Sequence, residues 1–198
     1  EWPIYGQDHQ LSFTIPFQLV TPGTQSNIGD VLVNYRYQVL LQKPVALSPR
    51  LSVVTPTGDY HNRLGTGAIG VETNLPMSVT LSPHFVTHWN LGMRVTPNAK
   101  AHSGLMGTPV SFNYGASAVW LAREQLNFLV ELVGTSTETV QSDGTLARGD
   151  SFFINPGFRT AVNLGETQIV PGFAVPIGVG PSSGTYGFFA YFSVEHPY

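Results

Sequence analysis

The sequence predicts an all-β chain folded as a transmembrane, up-and-down antiparallel β-barrel of about ten strands. Three observations lead there. Apolar and polar residues alternate with period two in ten successive runs, the charges inside those runs share one face, and the connections between runs alternate long and short. Segments of about ten residues that alternate apolar-out and polar-in, separated by turn residues, are the pattern of barrel strands.

The alternation begins at 11–19, where Leu11, Phe13, Ile15, Phe17 and Leu19 face away from Ser12, Thr14, Pro16 and Gln18. In 30–41, Val31, Val33, Tyr35, Tyr37, Val39 and Leu41 oppose Asp30, Asn34, Arg36 and Gln38. The same period marks 46–55, 68–76, 83–96, 109–122, 125–136, 151–162, 167–179 and 185–195. Within these runs Asp30, Arg36, Arg50, Glu72, Arg94, Glu131, Arg159 and Glu195 fall on the face shared with Ser, Asn, Gln and Gly. A soluble sandwich also alternates, but it decorates its polar face with many Lys and Glu. Here Lys occurs only as Lys43 and Lys100, both between strands. Four Arg balanced by four acids suit an enclosed, charge-paired lumen better than a wet surface.

Long connections are expected at 20–29, 56–67, 97–108 and 137–150, with a moderate one at 180–184. Short ones centre on 42–44, 77–82, 123–124 and 163–165. Bacterial barrels have short periplasmic turns and longer external loops. Ten strands then put both chain ends on the short-turn side. If an N-terminal hairpin is missing, the closed barrel has twelve strands, and Glu1-Trp2-Pro3-Ile4-Tyr5 is the remnant of one of them.

Composition narrows the alternatives. The 198 residues suit one domain spanning 1–198. Charged residues make up 11% of the chain, against roughly 25% in an average soluble domain. The 21 Gly and 15 Pro exclude a long helical bundle. The abundance of β-branched and aromatic residues, at a net charge of −3, excludes disorder. Nine cationic residues against twelve acidic ones leave no footprint for nucleic acid. With no cysteine there is neither a disulfide framework nor a thiolate metal site. The uncharged stretch 167–194 has the length of a spanning helix, but Pro171, Pro176 and Pro181 forbid one.

A family resemblance rests on particular segments. Pro49-Arg50-Leu51-Ser52-Val53-Val54-Thr55-Pro56-Thr57-Gly58-Asp59 is followed by Leu64-Gly65-Thr66-Gly67. Ile169-Val170-Pro171-Gly172-Phe173-Ala174-Val175-Pro176-Ile177 precedes Tyr191-Phe192-Ser193-Val194-Glu195-His196-Pro197-Tyr198. With Ile28-Gly29-Asp30 leading into Tyr35-Arg36-Tyr37, these resemble the outer-membrane family named for the MetA-pathway of phenol degradation, also described as transporters. The resemblance implies a Gram-negative outer membrane and passage of small hydrophobic or aromatic compounds. The end of the chain is similar to other outer-membrane barrels in its aromatic terminus, Tyr198, with Val194, Phe192 and Ala190 at alternate positions before it, while His196, two before the end, departs from that pattern. That likeness implies lipid as a partner, and barrel-assembly machinery that takes the strand ending at Tyr198.

No residue set carries catalysis, and no metal or cofactor is expected. His84 and His88 lie on one predicted strand, on the lumen face with Asn90 and Arg94. Four residues along a strand span about 13 Å, too far to chelate one metal. Asp59 and His61 suit a solvated Gly-Asp turn better than an acid–base pair. Gly149-Asp150-Ser151 opens a strand without a strand-to-helix elbow, unlike a hydrolase nucleophile. The Gly-rich 65–70 precedes a strand and so is no phosphate loop. Trp89, Trp120, Tyr35, Tyr37, Tyr114, Phe152, Phe158, Tyr186 and Phe192 fall on the apolar face, as expected of rings at membrane–water boundaries. The functional expectation is a passive outer-membrane transporter or channel. Its candidate lumen set is Asp30, Arg36, Arg50, Glu72, His84, His88, Arg94, Glu131, Arg159 and Glu195. The alternative is a plugged barrel that anchors binding loops.

Overall fold

The structure is a computed structural model and describes residues 2–6, 8–20 and 25–195, with the side chains of 18–20, 25–27 and Glu195 excepted. Ten long strands form an antiparallel meander, each hydrogen-bonded to the next. They are β1 (His9–Thr14), β2 (Leu32–Tyr37), β3 (Arg50–Val54), β4 (Gly70–Asn74) and β5 (Phe85–Val95). The second half holds β6 (Val110–Arg123), β7 (Leu126–Val140), β8 (Leu146–Thr160), β9 (Thr167–Ala174) and β10 (Phe189–Glu195). Shorter pieces lengthen several of them. Leu40–Gln42 continues β2, Val45–Leu47 leads into β3, Met77–Ser82 continues β4, and Ile177–Gly178 continues β9. Three of the four interruptions fall at Pro49, Pro76 and Pro176, where the missing N–H cannot enter the ladder; the one after β2 falls at Gln38-Val39. Trp2–Pro3 pairs along the outer edge of β1, opposite Leu11 and Gln10. Tyr198, with His196 and Pro197, lies outside the described residues, as does Glu1.

Ten strands in sequence order agree with the periodicity, but the expected strand at 11–19 ends at Thr14, Phe17–Val20 pairs instead with Gln25–Ile28 as a separate hairpin, and two further connections differ. Met77–Ser82 is strand rather than turn, paired with both β5 and Val45–Leu47. The reversal comes at Pro83-His84, so His84 sits in a turn, exposed, and not on a strand with His88. The 137–150 connection shrinks to 141–145, because β7 runs to Val140 and β8 starts at Leu146. Alternating Thr135, Thr137 and Thr139, all β-branched, carry the ladder further than the apolar pattern does. In the remaining turn the Thr145 hydroxyl and then its backbone N–H donate to Asp143, holding that carboxyl below its ordinary range.

The two faces invert the polarity of a soluble protein. Buried residues include Ser52, Asn34, Glu72, Asn74, Thr96 and Asp30, whereas Leu91 is 60% and Trp89 49% exposed. The register shows the sorting. Ser12, Asn34, Ser52, Glu72, Arg94 and Ser111 lie in one inward row across six strands. Phe85, Trp120, Phe128, Phe158 and Phe173 lie in one outward row across five.

That outward row marks one border of an apolar band, on the short-turn side. The other border is the row Met93–Phe112–Ser136. From Phe85 to Met93, Trp120 to Phe112 and Phe128 to Ser136 the separation is eight residues in each strand. At roughly 3.4 Å per residue that is about 27 Å along the strand. A tilt of about 40° reduces it to roughly 21 Å of height, close to the band of a bacterial barrel. Because β7 and β8 are longer than expected, Glu138, Arg148 and Asp150 also lie on this outward face. Glu138 and Arg148 stand beyond the Phe112 row and Asp150 stands in it, opposite Ser136, so the face is uncharged only between the two border rows.

Candidate functional site

On the inward face one carboxylate organises the first half of the sheet. Glu72 Oε1 accepts from Arg50 at 3.0 Å, and its Oε2 accepts from Arg94 Nε at 2.8 Å and Nη2 at 2.5 Å. The Asn74 amide donates to Glu72 Oε1 at 2.8 Å. Asn90 continues the ladder, donating to Asn74 and Asn113 carbonyl oxygens at 2.9 Å each. Gly92 sits between these amides, and a Cβ there would collide with both Asn74 and Asn113. A second branch runs from Ser52, whose hydroxyl donates to Asn34 at 2.7 Å, to Thr14, which accepts from Asn34 at 2.9 Å. Arg36 donates to Gln10. Arg50 and Arg94 thus pair with one acid on the strand between them, a geometry that follows from their adjacent register positions.

The second half of the inward face is different. His88, Ser117, Glu131 and Asn155 occupy one row across β5 to β8. His88 Nδ1 lies 2.8 Å from the Ser78 hydroxyl. Glu131 and Arg159 make no hydrogen bond or ion pair among the described residues, and Asn155 Oδ1 is buried without a partner. Around them lies space. A cavity of about 240 Å³ reaches from His88 to Glu131, and one of about 230 Å³ from Glu131 to Arg159. The second is walled by Leu129, Ala174, Phe189 and Tyr191.

Asp30 belongs to neither group. It precedes β2 as a buried residue whose carboxylate accepts from Gly58 N at 2.9 Å, Thr66 N at 2.7 Å and the Thr66 hydroxyl at 2.7 Å. Gly65 is required beside it, since a Cβ would strike the Asp30 carboxylate and the Gly58 backbone. Thr57 adds a bond from its hydroxyl to Gly29 O at 2.9 Å. The Thr57-Gly58 and Leu64-Gly65-Thr66 segments therefore form a lock that folds the 56–67 connection against β2. Within it Asp59 caps a short 3-10 turn, Tyr60–Asn62, by accepting from His61 N, a structural duty. Asp30→Asn is expected to lose about 2 kcal/mol, because a neutral amide turns a donor toward backbone N–H groups. Limited proteolysis checks it: wild-type 56–67 should resist cleavage while 141–145 is cut, and the variant should be cut at both.

The inward expectation therefore divides. Arg50, Glu72 and Arg94 come together; Arg36, opposite Arg50, donates to Gln10 beside them; His88, Glu131 and Arg159 share the second region. Asp30 and His84 leave the set, Asp30 because it lies in the loop lock and His84 because the turn falls on it. The side chain of Glu195 lies outside the described residues, although its backbone pairs opposite Gln168. Sequence reasoning over charges missed Ser52, Asn74, Asn113 and Asn155, and left Asn34 and Asn90 out of the candidate set although it placed both on the polar face. Their recurrence at even spacing on the polar face was the available signal.

Among the described residues no group of three or more His, Asp or Glu is arranged to hold a metal ion. No helix among them is long and apolar enough to cross a membrane. Compared with known proteins, the chain matches no family model and no curated sequence.

Proposed function

We propose that this chain is a β-barrel of a bacterial outer membrane that lets small, largely apolar solutes cross passively. The observation that carries the reading is the inverted polarity: Glu72, Asn74 and Asn34 are buried, with their Arg and Asn partners half-buried beside them, while an uncharged band of Trp, Phe, Leu and Val is exposed. In water such a band would be an aggregating surface; in lipid it is the matching solvent, and closing the sheet removes its open edges. β1 and β10 occupy odd and even places in the meander and so run in opposite directions, which permits antiparallel closure with ten strands. Closure through a strand built on Trp2–Pro3 requires an even count and gives twelve. The resemblance to the outer-membrane transporter family supports the same location.

The Arg50–Glu72–Arg94 cluster favours a narrow interior, and with it a second reading: a plugged barrel that anchors its external loops. Reconstitution in planar bilayers separates the two. A passive transporter with a partly filled lumen should show a small, steady conductance; no conductance and no solute flux would leave the anchor. A chain that stays monomeric in water without detergent would overturn the membrane reading altogether.

A further inference from the structure

The two halves of the inward face differ in whether their charges are spent. Glu72 is fully engaged by Arg50, Arg94 and Asn74. The Glu131 and Arg159 side chains form no hydrogen bond or ion pair among the described residues, though both act electrostatically on His88, and both line the same cavity of about 230 Å³. They stand on neighbouring strands four residues out of register, Glu131 opposite Asn155 and Arg159 opposite Asn127. That stagger separates an acceptor from a donor instead of pairing them. Charges on an enclosed face are stable only when paired or solvated, so this region is built to keep a polar guest or water between them.

The rest of the wall is apolar and shaped. Gly172 and Ala174 leave a hollow on β9 beside the rings of Phe189 and Tyr191, with Leu129 across from them. Resting on the transport reading above, we propose that this cavity is the solute subsite and that it takes small zwitterions with an apolar body, such as a free apolar amino acid. The ammonium group meets Glu131, the carboxylate meets Arg159, and the side chain lies against Leu129, Ala174, Phe189 and Tyr191. The two wall charges sum to zero. A solute carrying a net charge therefore leaves one charge excess against a like charge, which disfavours it. The Glu72 cluster, already neutralised, takes no part in this selection.

The test uses the full chain in phosphatidylcholine–phosphatidylglycerol vesicles, with uptake of norleucine, lysine and glutamate measured separately. Wild-type uptake of norleucine should exceed that of the other two by roughly tenfold, because lysine and glutamate keep both backbone contacts but set a charged side chain against the apolar wall. Arg159→Gln should shift the lysine-to-glutamate ratio toward lysine and Glu131→Gln toward glutamate. Ala174→Leu, which fills the hollow, should slow norleucine. Equal uptake of the three solutes by the wild type, or ratios unmoved by both Gln variants, overturns the subsite while leaving a passive transporter. Absence of uptake for every solute overturns the transport reading and the subsite with it. The wild-type comparison decides the matter even where a variant fails to insert.

Discussion

Glu72→Ala is expected to destabilise the protein by about 3 kcal/mol, the lower end of the loss from breaking a buried charge cluster. The side chain is 9% exposed, and its two oxygens accept from Arg50, Arg94 and Asn74. Removing it leaves two guanidinium groups facing each other across β4 with no counter-charge. Those groups are about one third exposed, at 36% and 35%, so water softens the penalty and the lower end applies. Glu72→Gln should fall between, because the amide still accepts from Asn74 but no longer cancels two positive charges. Glu131→Ala makes the informative comparison. It removes no ion pair seen among the described residues, and it should change stability by less than about 1 kcal/mol. Urea unfolding of protein refolded into lipid checks all three, read as midpoint shifts at constant slope. Equal losses for Glu72→Ala and Glu131→Ala would mean that the difference between the spent and unspent halves is not real.

The same comparison shows which parts of the molecule a sequence displays. Period-two alternation is a direct imprint of the pleat, so ten strands and the facing of Trp89, Trp120, Tyr114 and Phe158 were legible from residue order alone. Strand ends were not. Pro83-His84 outcompetes 77–82 as the turn because Pro lacks a donor, while Met77, Val79 and Leu81 keep alternating past Pro76. Equally hidden was which Arg meets which acid. Pairing depends on register between strands, and register is fixed by turns whose position was misjudged at His84. Arg94 and Glu72 are directly opposite, whereas Glu131 meets Asn155 and Arg159 meets Asn127. A count of four Arg and four acids therefore suggested uniform pairing where the molecule has one cluster and one gap. Asp30 misled for a different reason. It continues the polar parity of β2, but the backbone N–H groups of Gly58 and Thr66 capture its carboxylate before the strand begins.

Leu132→Arg is expected to cost about 2–4 kcal/mol in lipid, whereas Phe173→Arg should cost about 1 kcal/mol or less. Both residues point outward and both are about two fifths exposed, at 39% and 42%, so burial within the protein does not distinguish them. Depth does. Leu132 lies midway between Phe128 and Ser136, in the row Trp89–Ala116–Leu132–Ile154, which is the centre of the apolar band, so Trp89, expected among the boundary rings, stands at mid-band instead. Phe173 lies in the row Phe85–Trp120–Phe128–Phe158, at the border where rings meet water. An arginine at the border extends its guanidinium into the headgroups along its own apolar stem. At the centre it must either deform the bilayer or bury a charge in hydrocarbon. Val33 lies near the opposite border and should behave like Phe173. Unfolding of each variant from phosphatidylcholine vesicles gives the values, and the same pair measured in a soluble, detergent-free state would show no depth effect. Equal costs at Leu132 and Phe173 in lipid would place the band elsewhere on the sheet. Neutral results at both would remove lipid from this face altogether.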